Sequence, residues 1–375
     1  MVHTLEKLLP LPVEHIELLC NTEQNPHFHA EGNVYKHMCY VLEQYETHAD
    51  NFDLDDTDRE VLYWAALLHD IGKPVVTQWV NGRLTAKGHE RAGVPIARDI
   101  LLNQPEITTR QRQRILDLVR LHHIPLKWGM RKARLSEYKR LATATDLRLM
   151  GIFSLFDIMG RVCINKPETL EMISHFNEVI VSRIRDEIGA FESLQEQYQK
   201  AGYQKKNALW HALKYDDDRL LEKVLHHNNP ETIPPKSQCV ITIGAPRSGK
   251  TEYVQAHYPD HHYFDLEAYK VRQGHSDENE YALDIKTFMS AFLRQHRNIV
   301  IDGCNLNPDT RRRIGDCARD FHAELHYLYF ERSLDHLLET NAHTAQPLAS
   351  DRIRAAHNTL DIPHPWEAHS LQIID

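Results

Sequence analysis

Four histidines and two aspartates carry the most chemical potential in this chain: His37, His69, Asp70, His89, His122 and Asp157. The adjacent pair His69-Asp70 closes an apolar run, Val61 to Leu68, and opens onto Ile71-Gly72-Lys73-Pro74. Either residue alone at the end of a buried helix is compatible with a satisfied core or capping group. Together they suit a divalent metal. The other candidates each stand at the edge of an apolar segment, where a helical domain can point several side chains at one spot. Imidazole and carboxylate donors favour a transition metal or zinc over calcium, and the lack of thiolates favours a catalytic over a structural site. His123 adjoins His122 and is the weaker candidate of the two.

A second constellation lies far downstream. Gly244-Ala245-Pro246-Arg247-Ser248-Gly249-Lys250-Thr251 has the Gly-x-x-x-x-Gly-Lys-Thr spacing of a phosphate-binding loop, between a predicted strand and a predicted helix. Backbone N–H groups and the helix N-terminus bind nucleotide phosphates in such a loop. Lys250 is placed to reach the β- and γ-phosphates and Thr251 to bind Mg²⁺. Asp302 ends the run Ile299-Val300-Ile301 and is positioned to reach the same metal.

The elements that must position these residues follow from periodicity. Apolar residues at helical spacing predict helices over 37–45, 58–68, 93–102, 110–121, 149–162, 169–191 and 207–227. Asn81-Gly82, between Val75–Val80 and Arg83–Ala86, predicts a hairpin that could hold His89 over the site. Residues 1–227 are thus expected to form an all-α domain. Three prolines and no apolar periodicity mark 228–238 as a linker. Residues 239–375 alternate strands (239–244, 298–303, 324–330) with helices, which predicts an α/β domain with a parallel sheet.

Length supports two domains: 375 residues exceed one ordinary core. Six widely scattered cysteines without a Cys-x-x-Cys pair argue against a disulfide framework and a thiolate zinc site. No apolar run reaches membrane-spanning length and no secretory leader is evident, so a cytoplasmic protein is expected. The net charge of −9 speaks against a nucleic-acid partner. Against that, residues 110–148 hold eleven Lys or Arg and three acids, a local basic stretch able to steer a phosphodiester. A solvated helix face explains the same charges.

The order His…His-Asp…His…His…Asp resembles the HD phosphohydrolase superfamily. Asn33-Val-Tyr-Lys-His37, Ala66-Leu-Leu-His-Asp-Ile-Gly-Lys-Pro74, Lys87-Gly-His-Glu-Arg-Ala-Gly93, Val119-Arg-Leu-His122 and Phe156-Asp-Ile-Met-Gly-Arg161 resemble the HD domain of bacterial tRNA nucleotidyltransferases. The resemblance implies one or two ions of the Mn, Ni, Co, Cu or Zn class, with Asp70 as the bridge if there are two. It places Lys73 to neutralise charge developing on phosphorus. Arg161 is expected either to grip a phosphate with its guanidinium fork or to make a structural ion pair.

The second half is similar to polynucleotide kinases of the bacteriophage type, most specifically through Val300-Ile-Asp-Gly-Cys-Asn-Leu-Asn-Pro-Asp-Thr-Arg-Arg-Arg313. That family uses an Asp as base three residues before an Arg. Matched by this spacing, Glu267 takes the base position and Lys270 the arginine position, with Asp265 the alternative base. The family's lid carries arginine, whereas 338–347 carries none; the next are Arg352 and Arg354.

Joined, the two resemblances imply an enzyme that heals RNA or DNA ends. The HD domain would remove a 2′,3′-cyclic phosphate or a 2′- or 3′-phosphate, and the kinase domain would phosphorylate a 5′-hydroxyl with ATP or another NTP and Mg²⁺. A ligase would then seal the ends. The alternative is an HD nucleotide phosphohydrolase whose P-loop domain senses nucleotide and has little or no kinase activity.

Overall fold

The structure, a computed structural model, describes residues 10–131, 133–142, 144–180, 201–214, 219–220, 223–224, 234–273, 282–364 and 367–374. By internal contacts the chain divides into two compact units, Met1–Leu194 and Gln195–Asp375.

The first unit is helical: α1 Val13–Cys20, α2 Val34–His48, α3 Asp56–Leu68, the single turn α4 Lys73–Val76, α5 His89–Leu102, α6 Thr109–Leu121, α7 Ile124–Arg131, α8 Leu135–Ala142, α9 Leu147–Gly160 and α10 Lys166–Val179. Caps fix where the site-bearing helices begin. Asn33 accepts from Lys36 N at α2, Asp55 from Asp58 N at α3, and Asp146 from Arg148 and Leu149 N at α9. Thr108 and Gln111 form a reciprocal capping box at α6. Helix α9 is the core element, with Leu149, Met150, Phe153, Phe156 and Ile158 all buried. Burial of each such side chain contributes about 1.5–3 kcal/mol, so α9 anchors the unit to which Asp157 belongs.

The expected hairpin forms, but shorter than predicted. Strands β1 Gln78–Val80 and β2 Arg83–Thr85 pair antiparallel across Asn81-Gly82, both at positive φ. Val75 and Val76 are in α4 instead, because Pro74 at the start of that turn favours helix over strand. Close approach of the two ends of this excursion depends on Gly72. A Cβ there would lie 2.2 Å from His89 O and 2.4 Å from Gly93 N, so any larger residue would push α5 and His89 off the Asp70 turn.

In the second unit a five-stranded sheet has the order β4-β5-β3-β6-β7, all parallel: β3 Ser237–Ile243, β4 His262–Asp265, β5 Ile299–Asp302, β6 Ala323–Phe330 and β7 Ser370–Ile374. Around it run α11 Tyr203–Lys214, α12 Lys250–His257, α13 Leu266–Gln273, α14 Ala282–Leu293, α15 Pro308–Asp320, α16 Leu334–Ala342 and α17 Ser350–Thr359. The three predicted strands are the inner ones. The edge strands β4 and β7 were not predicted, since a half-exposed edge has no continuous apolar run.

Two boundaries differ from expectation. Helix α11, expected within the helical domain, packs on the α/β unit: Trp210 Nε1 donates to Asp316 Oδ1 at 3.2 Å, the Arg319 guanidinium lies 4.1 Å over the Trp210 ring, and Lys206 Nζ donates to His369 O at 2.7 Å. Ser237 and Gln238, expected in the linker, already belong to β3. Residues 181–191 of one predicted helix, most of 215–227 in another and linker residues 228–233 lie outside the described residues.

Among the described residues, at least five of the eleven cations of the basic stretch have partners within the fold. Arg114 pairs with Asp58 and Asp146, Arg148 with Asp58, Arg120 with Asp117, and Arg131 with Glu137; buried Arg112 donates to Ile107 O. Its exposed cations with described side chains include Arg110, Lys127 and Arg134. Lys132 and the side chains of Lys139 and Arg140 lie outside the described residues. Among the described residues no helix is long and apolar enough to cross a membrane.

Arg311, part of the kinase-like wording, is fully buried. It donates to Glu367 and to the carbonyls of Asn305, Leu306 and Asp361, so it ties the loop after β5 to the segment before β7. Arg311→Ala is expected to destabilise the second unit by about 3–5 kcal/mol, because Glu367 would keep a buried, uncompensated charge. Chemical denaturation of the variant checks this.

Candidate functional site

In the first unit, α2 supplies His37, the C-terminus of α3 and the following turn supply His69 and Asp70, α5 begins with His89, α6 ends at His122, and α9 carries Asp157 near its C-terminus. All six converge. Asp70 is at the centre: its Oδ2 lies 3.2 Å from His69 Nε2 and 3.5 Å from His37 Nε2, while Oδ1 lies 3.2 Å from His89 Nε2 and 4.0 Å from His122 Nε2. Asp157 Oδ1 is 3.1 Å from His37 Nε2. The donors therefore fall into two groups that share Asp70: His37, His69 and Asp157 on one side, His89 and His122 on the other.

The ring tautomers show why this arrangement fits a cation. Nδ1 of His69, His89 and His122 lies against the carbonyl three residues earlier (Ala66, Ala86, Val119) at 3.2, 2.8 and 2.9 Å. A carbonyl only accepts, so each Nδ1 bears the proton and each Nε2 presents a lone pair inward. Yet Nε2 of His89 faces Nε2 of His122 at 3.2 Å, and that of His69 faces that of His37 at 3.3 Å. Opposed lone pairs, as those of His89 and His122 are in their neutral rings, repel at that distance unless a positive charge lies between them. Asp70 Oδ2 and His37 Nδ1 are also buried without a hydrogen bond of regular geometry. The donor set thus fits one or two transition-metal ions, and Asp70 is the residue that both would share.

Electrostatics favour the ligand forms of Asp70, Asp157 and His122, but the protonated form of His37 while no ion is bound. Burial pushes the Asp70 carboxyl up, but Lys73 and His69 outweigh it and hold it well below the usual carboxylate range; Arg161 and His37 do the same for Asp157. Burial, with His89 and His69 close by, holds His122 well below the usual imidazole range, which leaves it neutral. Burial also lowers His37, but the carboxylates of Asp157 and Glu31 overcome it and raise it. His123 belongs to neither donor group, so the structure brings His122 rather than its neighbour to Asp70.

Two flanking cations have definite partners. Lys73 Nζ sits 2.6 Å from Asp70 Oδ2 and donates to Gln24 Oε1 at 2.6 Å. Arg161 turns its fork onto Asp157, with Nε to Oδ1 at 3.1 Å and Nη2 to Oδ2 at 2.5 Å. Of the two roles expected for Arg161, the ion pair is the one this geometry displays. Gln24 and Glu31, both in the loop before α2, were missed because loop residues carry no periodic signal.

In the second unit the glycine loop wraps the C-terminal end of β3 and leads into α12. Gly249 caps α12 at φ 86°, a left-handed conformation that favours glycine, while Arg247 adopts φ 70° despite its side chain. Lys250 Nζ turns back onto Ala245 O at 2.6 Å and Ser248 Oγ at 3.2 Å, across the concavity a phosphate would fill. Asp302, on neighbouring β5, is buried; it accepts from Thr251 Oγ1 at 2.7 Å, Thr242 Oγ1 at 2.8 Å and Tyr263 OH at 2.5 Å. Thr251 and Asp302 are thereby brought together as a Mg²⁺ site requires. Tyr263 and Thr242 had no sequence signal.

Beside the loop is a cavity of about 180 Å³ lined by Pro246, Glu267, Lys270, Cys304, Thr310 and Arg352, among others. Glu267 is held between Lys270 Nζ at 3.4 Å and Arg352 Nη2 at 3.2 Å. Asp265 is engaged elsewhere, accepting from Ala268 N at 2.8 Å as a cap of α13. Of the two candidate bases, only Glu267 lines the cavity. The arginine-poor 338–347 segment is met from outside: Arg247 donates to Asn341 Oδ1 at 3.1 Å and Gln346 O at 2.6 Å.

Comparison with known proteins agrees with this division. Residues 34–151 match the HD domain family and residues 239–361 match an AAA domain family. The HD match ends before Asp157, whose place in the cluster rests on the geometry above. No curated protein matches the chain. Among solved structures it is similar to a gluconokinase from Sinorhizobium meliloti 1021, with 15% identity over 38% of this chain and 84% of that one and a TM-score of 0.30. A likeness at that level carries no functional inference.

The two histidines that adjoin in sequence should separate in a metal titration. His122→Ala is expected to weaken Mn²⁺ or Co²⁺ binding at least ten-fold, whereas His123→Ala should leave it within two-fold of the parent, both roughly scaled from ligand-shell substitutions. Isothermal titration of the two variants checks this.

Proposed function

We propose that this chain, which joins an HD domain to a P-loop kinase-like domain, heals broken nucleic-acid strands. In this reading the HD domain hydrolyses 2′,3′-cyclic phosphate or 2′- or 3′-phosphate ends, and the P-loop domain phosphorylates 5′-hydroxyl ends with an NTP and Mg²⁺. The observation that carries it is the pairing, in one chain, of a buried His/Asp cluster in an HD domain with a glycine loop that has a cavity beside it. A nucleotide sensor would need the loop but not a carboxylate held between two cations beside it.

At the HD site, ions held by His37, His69, Asp70, His89, His122 and Asp157 would activate a water and polarise a phosphate oxygen. The chain's own residues do the rest. Lys73, fixed by Gln24, keeps a positive charge beside Asp70 where charge builds on phosphorus. Arg161 holds Asp157 toward His37. The β1–β2 hairpin rises between Lys73 and His89 and leaves Trp79 69% exposed; Asn25 Nδ2 donates to Leu84 O and ties the hairpin to the loop that bears exposed Phe28. Exposed aromatics on the two segments that adjoin Lys73, His89 and Gln24 would suit the bases of a strand end more than a mononucleotide alone.

At the kinase site, the backbone of Gly244 to Thr251 and Lys250 receive the NTP phosphates. Glu267 accepts the proton of the 5′-hydroxyl as its oxygen bonds to the γ-phosphorus and the bond to the NDP oxygen breaks. Lys270 and Arg352 flank Glu267 and would supply the positive charge that lid arginines supply in the similar kinases.

The two activities are expected to separate by mutation. Asp70→Ala should abolish release of the 3′-terminal phosphate from an oligonucleotide and spare its 5′ phosphorylation, and Lys250→Ala should do the reverse. Glu267→Ala should lower 5′ phosphorylation by roughly 10²–10⁴-fold, with Asp265→Ala well above it. End-labelled products resolved by gel electrophoresis check all four, and loss of both activities in either single-site variant contradicts independent sites. Trp79→Ala should reduce kcat/KM for a 3′-phosphate oligonucleotide by roughly ten-fold and leave p-nitrophenyl phosphate hydrolysis unchanged.

A further inference from the structure

Glu31 lies outside the donor groups around Asp70, yet it touches both segments that build one of them. Its side chain is fully buried in the loop before α2. Oε1 lies 2.8 Å from His29 Nδ1 and 3.1 Å from His37 Nδ1, and Oε2 accepts from Val162 N at 2.9 Å. Ala30 N also donates to Val162 O at 2.7 Å, so this loop and the chain leaving α9 are clasped from both sides.

His37 needs such a neighbour more than its counterparts do. His69, His89 and His122 stand at helix ends, each with a backbone carbonyl against Nδ1. His37 sits inside α2, where carbonyls are committed to the helix ladder, and its Nδ1 has no aligned hydrogen bond. Once Nε2 binds an ion, Nδ1 must carry the proton and needs an acceptor. Glu31 Oε1 is the acceptor within reach. The His29, Glu31 and His37 donors are themselves close enough to grip a cation, but His37 would then have to commit both ring nitrogens.

We propose that Glu31 is the positioning residue for the His37–Asp157 side of the metal centre. It fixes the tautomer and tilt of His37 through Nδ1, and through Val162 it fixes the turn that follows Asp157 and Arg161. Only a carboxylate serves. His29 Nδ1–H, His37 Nδ1–H and Val162 N–H are all donors, and an amide in the same place would oppose one of them with its own NH₂. The inference rests on the reading of the cluster as a metal centre.

Co²⁺ titration of the full-length chain, followed by visible absorption and by calorimetry, tests it. Glu31→Gln is nearly isosteric, and Glu31→Ala removes the acceptor outright. In both, Co²⁺ is expected to bind on the His37 side roughly 10–100-fold more weakly with an altered visible spectrum. Binding at His89 and His122, and ATP binding by the second unit, should persist. A Glu31→Gln titration and spectrum equal to the parent's overturn the proposal, as does loss of helical circular dichroism in that variant, which would make Glu31 a folding residue. Failure of the parent chain itself to bind Co²⁺ would instead overturn the metal-centre reading.

Discussion

A single buried carboxylate, Asp70, governs the first unit: both of its oxygens face imidazole nitrogens from three other helices. Burying a carboxylate is costly unless positive charge or donors surround it. Here the neighbouring imidazoles are turned by backbone carbonyls so that they offer lone pairs rather than protons, which deepens the need for a cation. Lys73 meets part of that need, and metal ions fit the remainder. The requirement reaches back into the fold. Gly72 must be small for α5 to approach, α9 must be buried on every side to hold Asp157 still, and the loop of Gln24 and Glu31 must close over α2.

The second unit obeys a different constraint. Its inner strand β3 ends in a loop with the spacing of a phosphate-binding loop, and Asp302 on β5 is held by Thr251, Thr242 and Tyr263. Chemistry there is shared between segments distant in the chain. Glu267 comes from the start of α13 and Arg352 from α17, and they meet at the cavity by the loop. The similarity to polynucleotide kinases implied a lid arginine at 338–347; in this chain a cation for the cavity comes from α17 instead.

What was legible in the sequence is what depends on local order. His69-Asp70 at the end of an apolar helix, the glycine loop between strand and helix, and the inner strands all leave contiguous signals, and the structure has each of them. Residues that act through three-dimensional proximity were hidden. Glu31 and Gln24 lie in a loop without periodicity, Tyr263 is on an edge strand, and Val75-Val76 favoured a strand until Pro74 started a helical turn. Part of the basic stretch has a role that charge density did not reveal. Its density fitted either a surface that steers a phosphodiester or a solvated helix face, while the ion pairs of Arg114 and Arg148 with Asp58 and Asp146 join segments that no count of charges along the chain connects.

The central claim is that one chain processes both ends of a broken strand at two separate phosphate sites. Its most direct test uses one oligonucleotide that bears a 5′-hydroxyl and a 2′,3′-cyclic phosphate, incubated with the intact protein, Mn²⁺ and ATP, and then mapped at both ends by mass spectrometry. The account predicts conversion to a 5′-phosphate and a 3′ end freed of the cyclic phosphate. An oligonucleotide unchanged at both ends, alongside rapid hydrolysis of free nucleotides that depends on ATP bound at Lys250, would contradict it.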